Sequence, residues 1–358
     1  MKNCFFYVFF LLIVNQAAGY EKQRAELNFY SAGNHLLQFF GRVDFSDPLK
    51  PRIWAPGAYF MAKFKGNNCE VLVNDQAYGN NHNYLEIVID NNKPYRIMLT
   101  EKTNVIKVPD SLAGTEHVIL ICKDTESSIG YIDVVGLRCE KLLPLPAKPK
   151  RKIEYYGDSI TTGTGMDLSS VPCDKGLWFD QHNAYMSYGA RTSRNLNAQW
   201  QITAQAGIGL VHSCCNMAVT MPDVFDKVFI AGNTNNWDFE KYQPQVVTIC
   251  LGQNDGKQDS VLFCGAYIKL IEKIRYEYPK AAIVCLTSPM ADSTLTAMLE
   301  RYLTGVTNYL NNNGDKKVYR YFFKGRYHSG CMGHPDLDEH QLIANELTAY
   351  IKQLEGWE

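Results

Sequence analysis

The sequence has little charge bias and few of the features that mark nucleic-acid-binding or membrane proteins. Its 358 residues carry a formal net charge of −1, so nothing electrostatic points to nucleic acid or to an anionic membrane. The densest basic segment, 148–152, contains a proline and is better interpreted as a linker. Beyond the N-terminus no stretch is apolar and long enough to cross a bilayer. No Asn-x-Ser/Thr sequon occurs, so export of the chain would not imply N-glycosylation.

The eleven cysteines include no Cys-x-x-Cys pair, so the sequence does not predict a structural zinc site. Residues 1–19 instead resemble a secretory signal, with Lys2, an apolar segment at 5–14 and small residues at 17–19. An N-terminal anchor or a core strand is the alternative. Secretion would place the ten remaining cysteines in an oxidising compartment, where some should form disulfides. Cys250 and Cys285 lie in apolar runs and are interpreted as buried thiols.

The first half of the mature chain, 20–143, has the pattern of short β-strands. Its alternating apolar runs fall at 57–64, 70–73, 84–90, 95–99 and 117–122, separated by turn residues such as those at 65–68 and 90–92. Short strands at this spacing, without an amphipathic helix between them, predict an antiparallel β-sandwich. Three prolines follow within 144–150, and they favour an extended linker at 144–151.

The remainder, 152–358, alternates between strand-like and helical patterns. The predicted strands are 153–157, 201–206, 246–251, 281–286 and 318–323, and the predicted helices are 184–196, 260–278, 293–312 and 337–354. This alternation indicates a parallel sheet covered by helices. We therefore expect a flavodoxin-like three-layer α/β/α domain, in which ligands bind at the carboxyl ends of the strands.

Four segments fall at or near those strand ends and together suit acyl transfer. Ser159 follows the first strand in Gly-Asp-Ser, Gly207 follows the second, Asn254 follows the third, and His334 precedes the last helix. A serine hydroxyl can attack a carbonyl when a histidine accepts its proton and returns it to the leaving alcohol. Each segment alone is also ordinary turn composition. Their order along one predicted sheet favours a common site.

The oxyanion of such a reaction needs preorganised hydrogen-bond donors. The backbone N–H groups of Ser159 and Gly207 and the side-chain amide of Asn254 are the candidates. These protein groups complete the reaction, so we expect no cofactor and no metal.

The same segments resemble the SGNH (GDSL-type) hydrolases, and nearly the whole mature chain is similar to carbohydrate esterase family 2. This resemblance implies that the predicted β-sandwich is a jelly roll. The segments that carry the resemblance are the Lys-x-Thr-Glu-x-x-x-Gly run at 123–130, the nucleophile block at 157–165, and His-Pro followed by His-Gln within 334–341. The resemblance implies a secreted deacetylase whose substrate is acetylated carbohydrate. It implies Ser159 as nucleophile and His334 as base, with Gly209 as the fallback if the second block aligns two residues later.

The sequence departs from the family pattern at two positions near the histidine. The superfamily often carries Asp three residues before it, where this chain has Cys331. Asp336 and Asp338 follow the histidine at a predicted helix start, where they suit the helix dipole. We therefore predict a Ser–His dyad with a backbone carbonyl orienting His334.

Gly333 replaces the aromatic residue that family members often carry just before the histidine. Trp178 or Trp237 could substitute as the surface that binds substrate, although ordinary packing explains either residue equally well.

Two other functions remain open at this point: an esterase for lipid or other acyl esters, and a carbohydrate-binding protein with an inactive hydrolase domain. The sequence predicts neither a nucleic-acid partner nor a membrane partner after signal cleavage. It leaves the polysaccharide, the disulfide pairs and the oligomeric state undetermined.

Overall fold

The computed structural model describes residues 26–108 and 112–358. The predicted signal segment, 1–19, lies outside the described residues. None of the described helices has the length and apolar character needed to span a membrane.

The N-terminal half forms one curled antiparallel sheet of ten strands. In chain order they are β1 (Asn28–Ser31), β2 (Gln38–Phe40), β3 (Val43–Asp44), β4 (Arg52–Ile53), β5 (Tyr59–Ala77), β6 (Tyr84–Ile89), β7 (Tyr95–Met98), β8 (Thr103–Lys107), β9 (Glu116–Lys123) and β10 (Gly130–Leu143). The prediction of an antiparallel domain is confirmed, and the jelly-roll topology stays a prediction. The alternation pattern succeeds here because each strand buries one face in a core of Ile, Val, Leu and Phe.

The turn predicted at 65–68 is wrong, because strand β5 continues through these residues. Gly66 adopts a φ of +96°, and the pairing of β5 with β10 shifts between Cys139 and Lys141. Such an irregularity bends a strand without ending it. Two predicted strands are therefore one strand of 19 residues.

The C-terminal half contains a five-stranded parallel sheet and its helices. Its elements are β11 (Arg151–Gly157), α1 (Ser159–Thr162), α2 (Tyr188–Asn195), β12 (Ala198–Ala204), α3 (Met221–Val224), β13 (Lys227–Phe229), β14 (Thr234–Asn236), β15 (Val246–Cys250), α4 (Ser260–Glu277), β16 (Ala282–Leu286), α5 (Ser293–Asn312), β17 (Val318–Tyr321) and α6 (Leu337–Glu355). The strand order β12-β11-β15-β16-β17 is the flavodoxin-like order 2-1-3-4-5. Strands β13 and β14 pair separately.

Helices cover both faces of this parallel sheet. Helices α4 and α5 pack on one face in a core that includes Leu270 and Leu303. Helices α2 and α6 pack on the other, around Tyr188 and Leu347. The predicted strands and helices are confirmed within a few residues. The largest shift is at α2, which begins at Tyr188 rather than at 184.

Buried polar contacts fix the two sheets against each other. The Arg42 guanidinium, from the N-terminal half, lies 2.8 Å from the Glu154 carboxylate of β11, and both side chains are buried. Trp200 of β12 donates from its indole nitrogen to the carbonyl oxygen of Gly57 at 2.8 Å. A buried ion pair of this kind holds one geometry, since separating the partners would leave an uncompensated charge. The predicted linker at 144–151 stays a prediction; β11 already begins at Arg151.

Candidate active site

Ser159 lies at the turn that follows strand β11, which lies between β12 and β15 in the parallel sheet. A Cβ atom on Gly157 would stand 2.0 Å from the Thr161 hydroxyl oxygen, so only glycine fits at this strand end. The Asp158 carboxylate accepts from the backbone N–H of Ile160 at 3.1 Å and caps the short helix α1. The capped turn places Ser159 at the carboxyl edge of the sheet, 7% exposed.

The structure brings His334 to Ser159 across 175 residues of sequence. The Ser159 Oγ lies 2.8 Å from His334 Nε2, and the other ring nitrogen, Nδ1, lies 3.1 Å from the carbonyl oxygen of Cys331. A carbonyl oxygen can only accept a hydrogen bond. The proton of the neutral imidazole therefore sits on Nδ1, which leaves Nε2 free to accept from the serine hydroxyl.

Cys331 is held in place by two further bonds. Its backbone N–H donates to the carbonyl oxygen of Gly165 at 2.8 Å, and its sulfur forms a disulfide with Cys173. No carboxylate among the described residues bonds to the His334 ring. Asp336 instead accepts from the backbone N–H of Glu339 at 2.8 Å and caps helix α6.

The surroundings shift the titration of both His334 and Asp158. Burial lowers the pKa of His334 below its ordinary value, although the Cys331 carbonyl opposes that shift. Burial raises the pKa of Asp158 to about 7, the bond from Ile160 opposes the shift, and the charge of Asp255 adds to it. The imidazole therefore favours its neutral form, the form that can accept a proton.

Gly207 and Gly209 both follow strand β12, but their backbone N–H groups differ in whether a hydrogen bond already occupies them. The Gly209 N–H donates to the Ser213 hydroxyl at 3.0 Å. The N–H groups of Ser159 and Gly207 find no acceptor among the described residues. Gly207 has a φ of +83°, which favours glycine. Of these two glycines, Gly207 therefore has the N–H that is free to donate, whereas the N–H of Gly209, the fallback candidate, is occupied.

Asn254, the third candidate donor, lies between the two other blocks. Its side-chain amide donates to the carbonyl oxygen of Ile208 at 2.9 Å and lies 3.4 Å from an Asp158 carboxylate oxygen. An amide carries two N–H donors. The short bond to Ile208 occupies one of them, the longer bond to Asp158 occupies the other, and the two bonds fix the side chain between the Ser159 and Gly207 segments.

The two predicted substrate-binding tryptophans have different environments. Trp178 is 44% exposed. Its ring packs edge-on against the buried His182 ring, and the two ring centroids are 4.5 Å apart. Trp237 is 8% exposed and lies along a cavity whose lining includes Tyr242 but neither member of the Ser159–His334 pair. The structure does not bring Trp237 to the Ser159–His334 pair; ordinary packing in the hydrophobic core accounts for it.

Sequence reasoning assigned no role in the site to several residues that shape it. Glu126 and Asp255 accept backbone N–H groups of the segment that carries Gly207. A second disulfide joins the adjacent Cys214 and Cys215, next to that glycine. The sequence shows that these two cysteines are adjacent, but it does not show which cysteines pair with each other. The expected burial of Cys250 and Cys285 as free thiols is confirmed.

Two family models match the chain, and together they cover most of it. Residues 39–147 match the carbohydrate esterase 2 N-terminal model, and residues 155–315 match the GDSL-like lipase/acylhydrolase family model.

Within the described residues, no group of three or more His, Cys, Asp or Glu side chains could hold a metal ion.

Curated proteins and solved structures resemble the chain over most of its length. Cellulase/esterase CelE of Acetivibrio thermocellus is 35% identical over 331 residues, which are 90% of this chain but 40% of CelE. An acetylxylan esterase/glucomannan deacetylase of Cellvibrio japonicus is 26% identical, with 91% of each chain covered. A solved family two carbohydrate esterase from Clostridium thermocellum, in complex with cellohexaose, is 35% identical, with 90% of this chain and all of that chain covered and a TM-score of 0.81.

Proposed function

The chain belongs to carbohydrate esterase family 2, and so to the carboxylic ester hydrolases; from this premise we propose that it is a secreted serine esterase that removes O-acetyl groups from a xylan- or mannan-type polysaccharide or oligosaccharide. The observation that carries the proposal is the 2.8 Å contact between Ser159 Oγ and His334 Nε2. A nucleophile and a base at this distance suit an acyl-enzyme mechanism.

In the first half of the reaction, Ser159 Oγ attacks the acetyl carbonyl carbon while its proton passes to His334 Nε2. The resulting imidazolium keeps its Nδ1–H on the Cys331 carbonyl, which holds the ring in place and partly stabilises its charge. This carbonyl takes the orienting role that an aspartate fills in a triad.

The negative charge of the tetrahedral intermediate falls on the former carbonyl oxygen. The N–H groups of Ser159 and Gly207 are free to donate to it. The third donor is the second amide hydrogen of Asn254, which exchanges its long 3.4 Å bond to Asp158 for the oxyanion. One such donor contributes about 2.7–4 kcal/mol of transition-state stabilisation.

Collapse of this intermediate breaks the ester C–O bond, and His334 returns its proton to the departing sugar oxygen, which leaves as a hydroxyl. Water then attacks the acetyl-serine, again with His334 as base, and acetate leaves as Ser159 regains its proton. Every proton in the cycle is carried by one imidazole.

The substrate class rests on the relatives and on the architecture. Relatives named acetylxylan esterase/glucomannan deacetylase align along almost their full length, and a relative was solved with cellohexaose. We infer that the curled N-terminal sheet is the jelly roll of this family. Secretion is supported by the signal-like segment at 1–19 and by the two disulfides, which suit an oxidising compartment.

The test is acetate release from acetylated xylan and glucomannan by wild type, Ser159→Ala and a matched control, Ser288→Ala. Ser288 also follows a parallel strand, β16, but its hydroxyl donates to the Gln253 side-chain oxygen at 2.6 Å instead of to a histidine. We expect activity in wild type and control and none in Ser159→Ala. Activity retained by Ser159→Ala would refute the nucleophile.

Two further measurements separate the other functions from this one. A serine-directed fluorophosphonate should label wild type but not Ser159→Ala; an unlabelled wild type would indicate a binding protein. Faster hydrolysis of long-chain than of acetyl p-nitrophenyl esters would indicate a lipid esterase.

A further inference from the structure

The loop between β9 and β10 reaches from the N-terminal sheet to the segment that holds Gly207. Its Glu126 side chain is 1% exposed, and one carboxylate oxygen accepts from the backbone N–H of Ala206 at 2.6 Å. Ala206 immediately precedes Gly207. A hydrogen bond from a backbone N–H to a buried carboxylate is charge-assisted and roughly twice as strong as a neutral one.

Neighbouring side chains of the same loop hold the residue before Ala206. Ser127 donates to the Gln205 side-chain oxygen at 3.0 Å, and Gln205 donates in turn to the Ser128 hydroxyl at 3.1 Å. Ser128 donates to the second Glu126 oxygen at 3.0 Å. Both carboxylate oxygens of Glu126 are therefore used, and residues 205 and 206 are fixed to the N-terminal sheet.

Buried Lys123 holds the loop from the other side. Its ammonium group is fully buried and donates to the carbonyl oxygens of Trp54, Thr125 and Glu126 at 3.2, 2.6 and 3.1 Å. Three bonds from one cation leave the loop backbone little freedom. The loop is thus a rigid support for the bond to Ala206.

Gly207 is fixed on both sides. Before it, Ala206 is bonded to Glu126; after it, the Gly207 carbonyl oxygen accepts from the Cys214 N–H at 2.8 Å. Between these two bonds the Gly207 N–H has no acceptor among the described residues. Donors that stabilise an oxyanion act best when their direction is set before the reaction.

We propose that Glu126 is a positioning residue for the oxyanion hole, through which the N-terminal sheet sets the direction of the Gly207 N–H. The proposal rests on the proposed function, since it assigns Gly207 as an oxyanion donor. It gives the Lys-x-Thr-Glu run at 123–126 a role in the reaction that acts through the Ala206 backbone.

The experiment compares steady-state hydrolysis of p-nitrophenyl acetate by wild type, Glu126→Leu and Glu126→Gln. Leucine has a similar size but no acceptor, so we expect kcat to fall about 10- to 100-fold with KM changed less than about threefold. Glutamine keeps an oxygen for the Ala206 N–H and should recover most of kcat. The matched control is Glu116→Leu at the exposed start of β9, where the carboxylate pairs with Lys63 at 2.8 Å.

If the leucine variant does not fold, Glu126→Asp carries the test. It keeps the charge but withdraws the carboxylate by one methylene, and the same fall in kcat is expected. A folded Leu or Asp variant with wild-type kcat, or one with a changed KM alone, would overturn the positioning role. An inactive wild type would overturn the esterase function itself, so the two failures are distinguishable.

Discussion

The Nδ1 atom of His334 lies 3.1 Å from the backbone carbonyl oxygen of Cys331, the residue three positions before it. A backbone carbonyl has no side-chain rotamers, so its direction depends on how the chain around it is held. The disulfide from Cys331 to Cys173 therefore does more than close a loop; it fixes the group that orients the proposed base.

Replacing both Cys173 and Cys331 with serine should lower kcat about tenfold or more while KM changes little. The carbonyl would move with a loosened loop, and displacements of about 1 Å can cost about 100-fold in rate. The thermal midpoint should also fall, since a disulfide closing a long loop contributes about 4–5 kcal/mol. Assays well below that midpoint separate the two effects.

The control for this pair is Cys264→Ser, a half-buried free thiol on α4. It should keep the wild-type rate. An unchanged kcat in the double variant would show that Gly165 and the local backbone alone hold the Cys331 carbonyl.

The pH profile should reflect the lowered pKa of His334. Only the neutral imidazole accepts the serine proton, so activity is present above this pKa and is lost as pH falls through it. Burial places that pKa below its ordinary value, and the acid limb of kcat/KM should therefore have a midpoint below about 6.5. A midpoint at or above that value would contradict the burial argument. Enzyme preincubated at low pH and assayed at neutral pH controls for unfolding.

The sequence predicted the parallel sheet, the positions of its strands and the place of Ser159, because each depends on local pattern. Apolar runs of five or six residues specify buried parallel strands, and Gly157 before Ser159 specifies the turn. The long strand β5 was not predictable in the same way. Its continuity through Gly66 is decided by pairing with β10, more than 60 residues away in sequence.

The contacts that hold the site residues in place could not be predicted from local sequence pattern either. The absence of an acid before His334 was visible in the sequence, whereas the pairing of Cys331 with Cys173 depends on the fold. The bond from Glu126 to Ala206 joins two halves of the chain, and no spacing rule relates them. The tryptophans show the same limit: the sequence could not distinguish exposed Trp178 from buried Trp237.

Asn254→Ala should lower kcat by about 100- to 1,000-fold, the usual effect of removing one oxyanion donor. The acetyl group still binds, so KM should change much less. Asn308→Ala, at an exposed position on helix α5, is the matched control and should keep the wild-type rate. A loss confined to KM would assign Asn254 to substrate binding and not to the oxyanion.

Gly207→Ala should inactivate the enzyme more severely than its small size suggests. The added Cβ would stand 2.8 Å from the Cys214 sulfur, and the φ of +83° disfavours any other residue. Backbone adjustment there would redirect the free N–H. Gly256→Ala is the matched control: its φ is also positive, at +67°, but its added Cβ meets nothing within 4 Å. Comparable activity in the two variants would contradict a role for the Gly207 N–H.

Trp178→Ala should weaken binding of the carbohydrate and leave the small reporter ester unaffected. The exposed ring lies beside His182, on a segment that the disulfide at Cys173 ties to the His334 loop. Stacking of an aromatic ring on a sugar is worth an energy comparable to other aromatic contacts, about 0.5–1.5 kcal/mol. KM for acetylated oligosaccharide should therefore rise about two- to tenfold, with p-nitrophenyl acetate kinetics unchanged.

The matched control for this prediction is Trp357→Ala, where the ring packs against Arg151 at the C-terminal end. Equal KM values for Trp178→Ala and wild type on oligosaccharide would place the sugar elsewhere on the rim of the site.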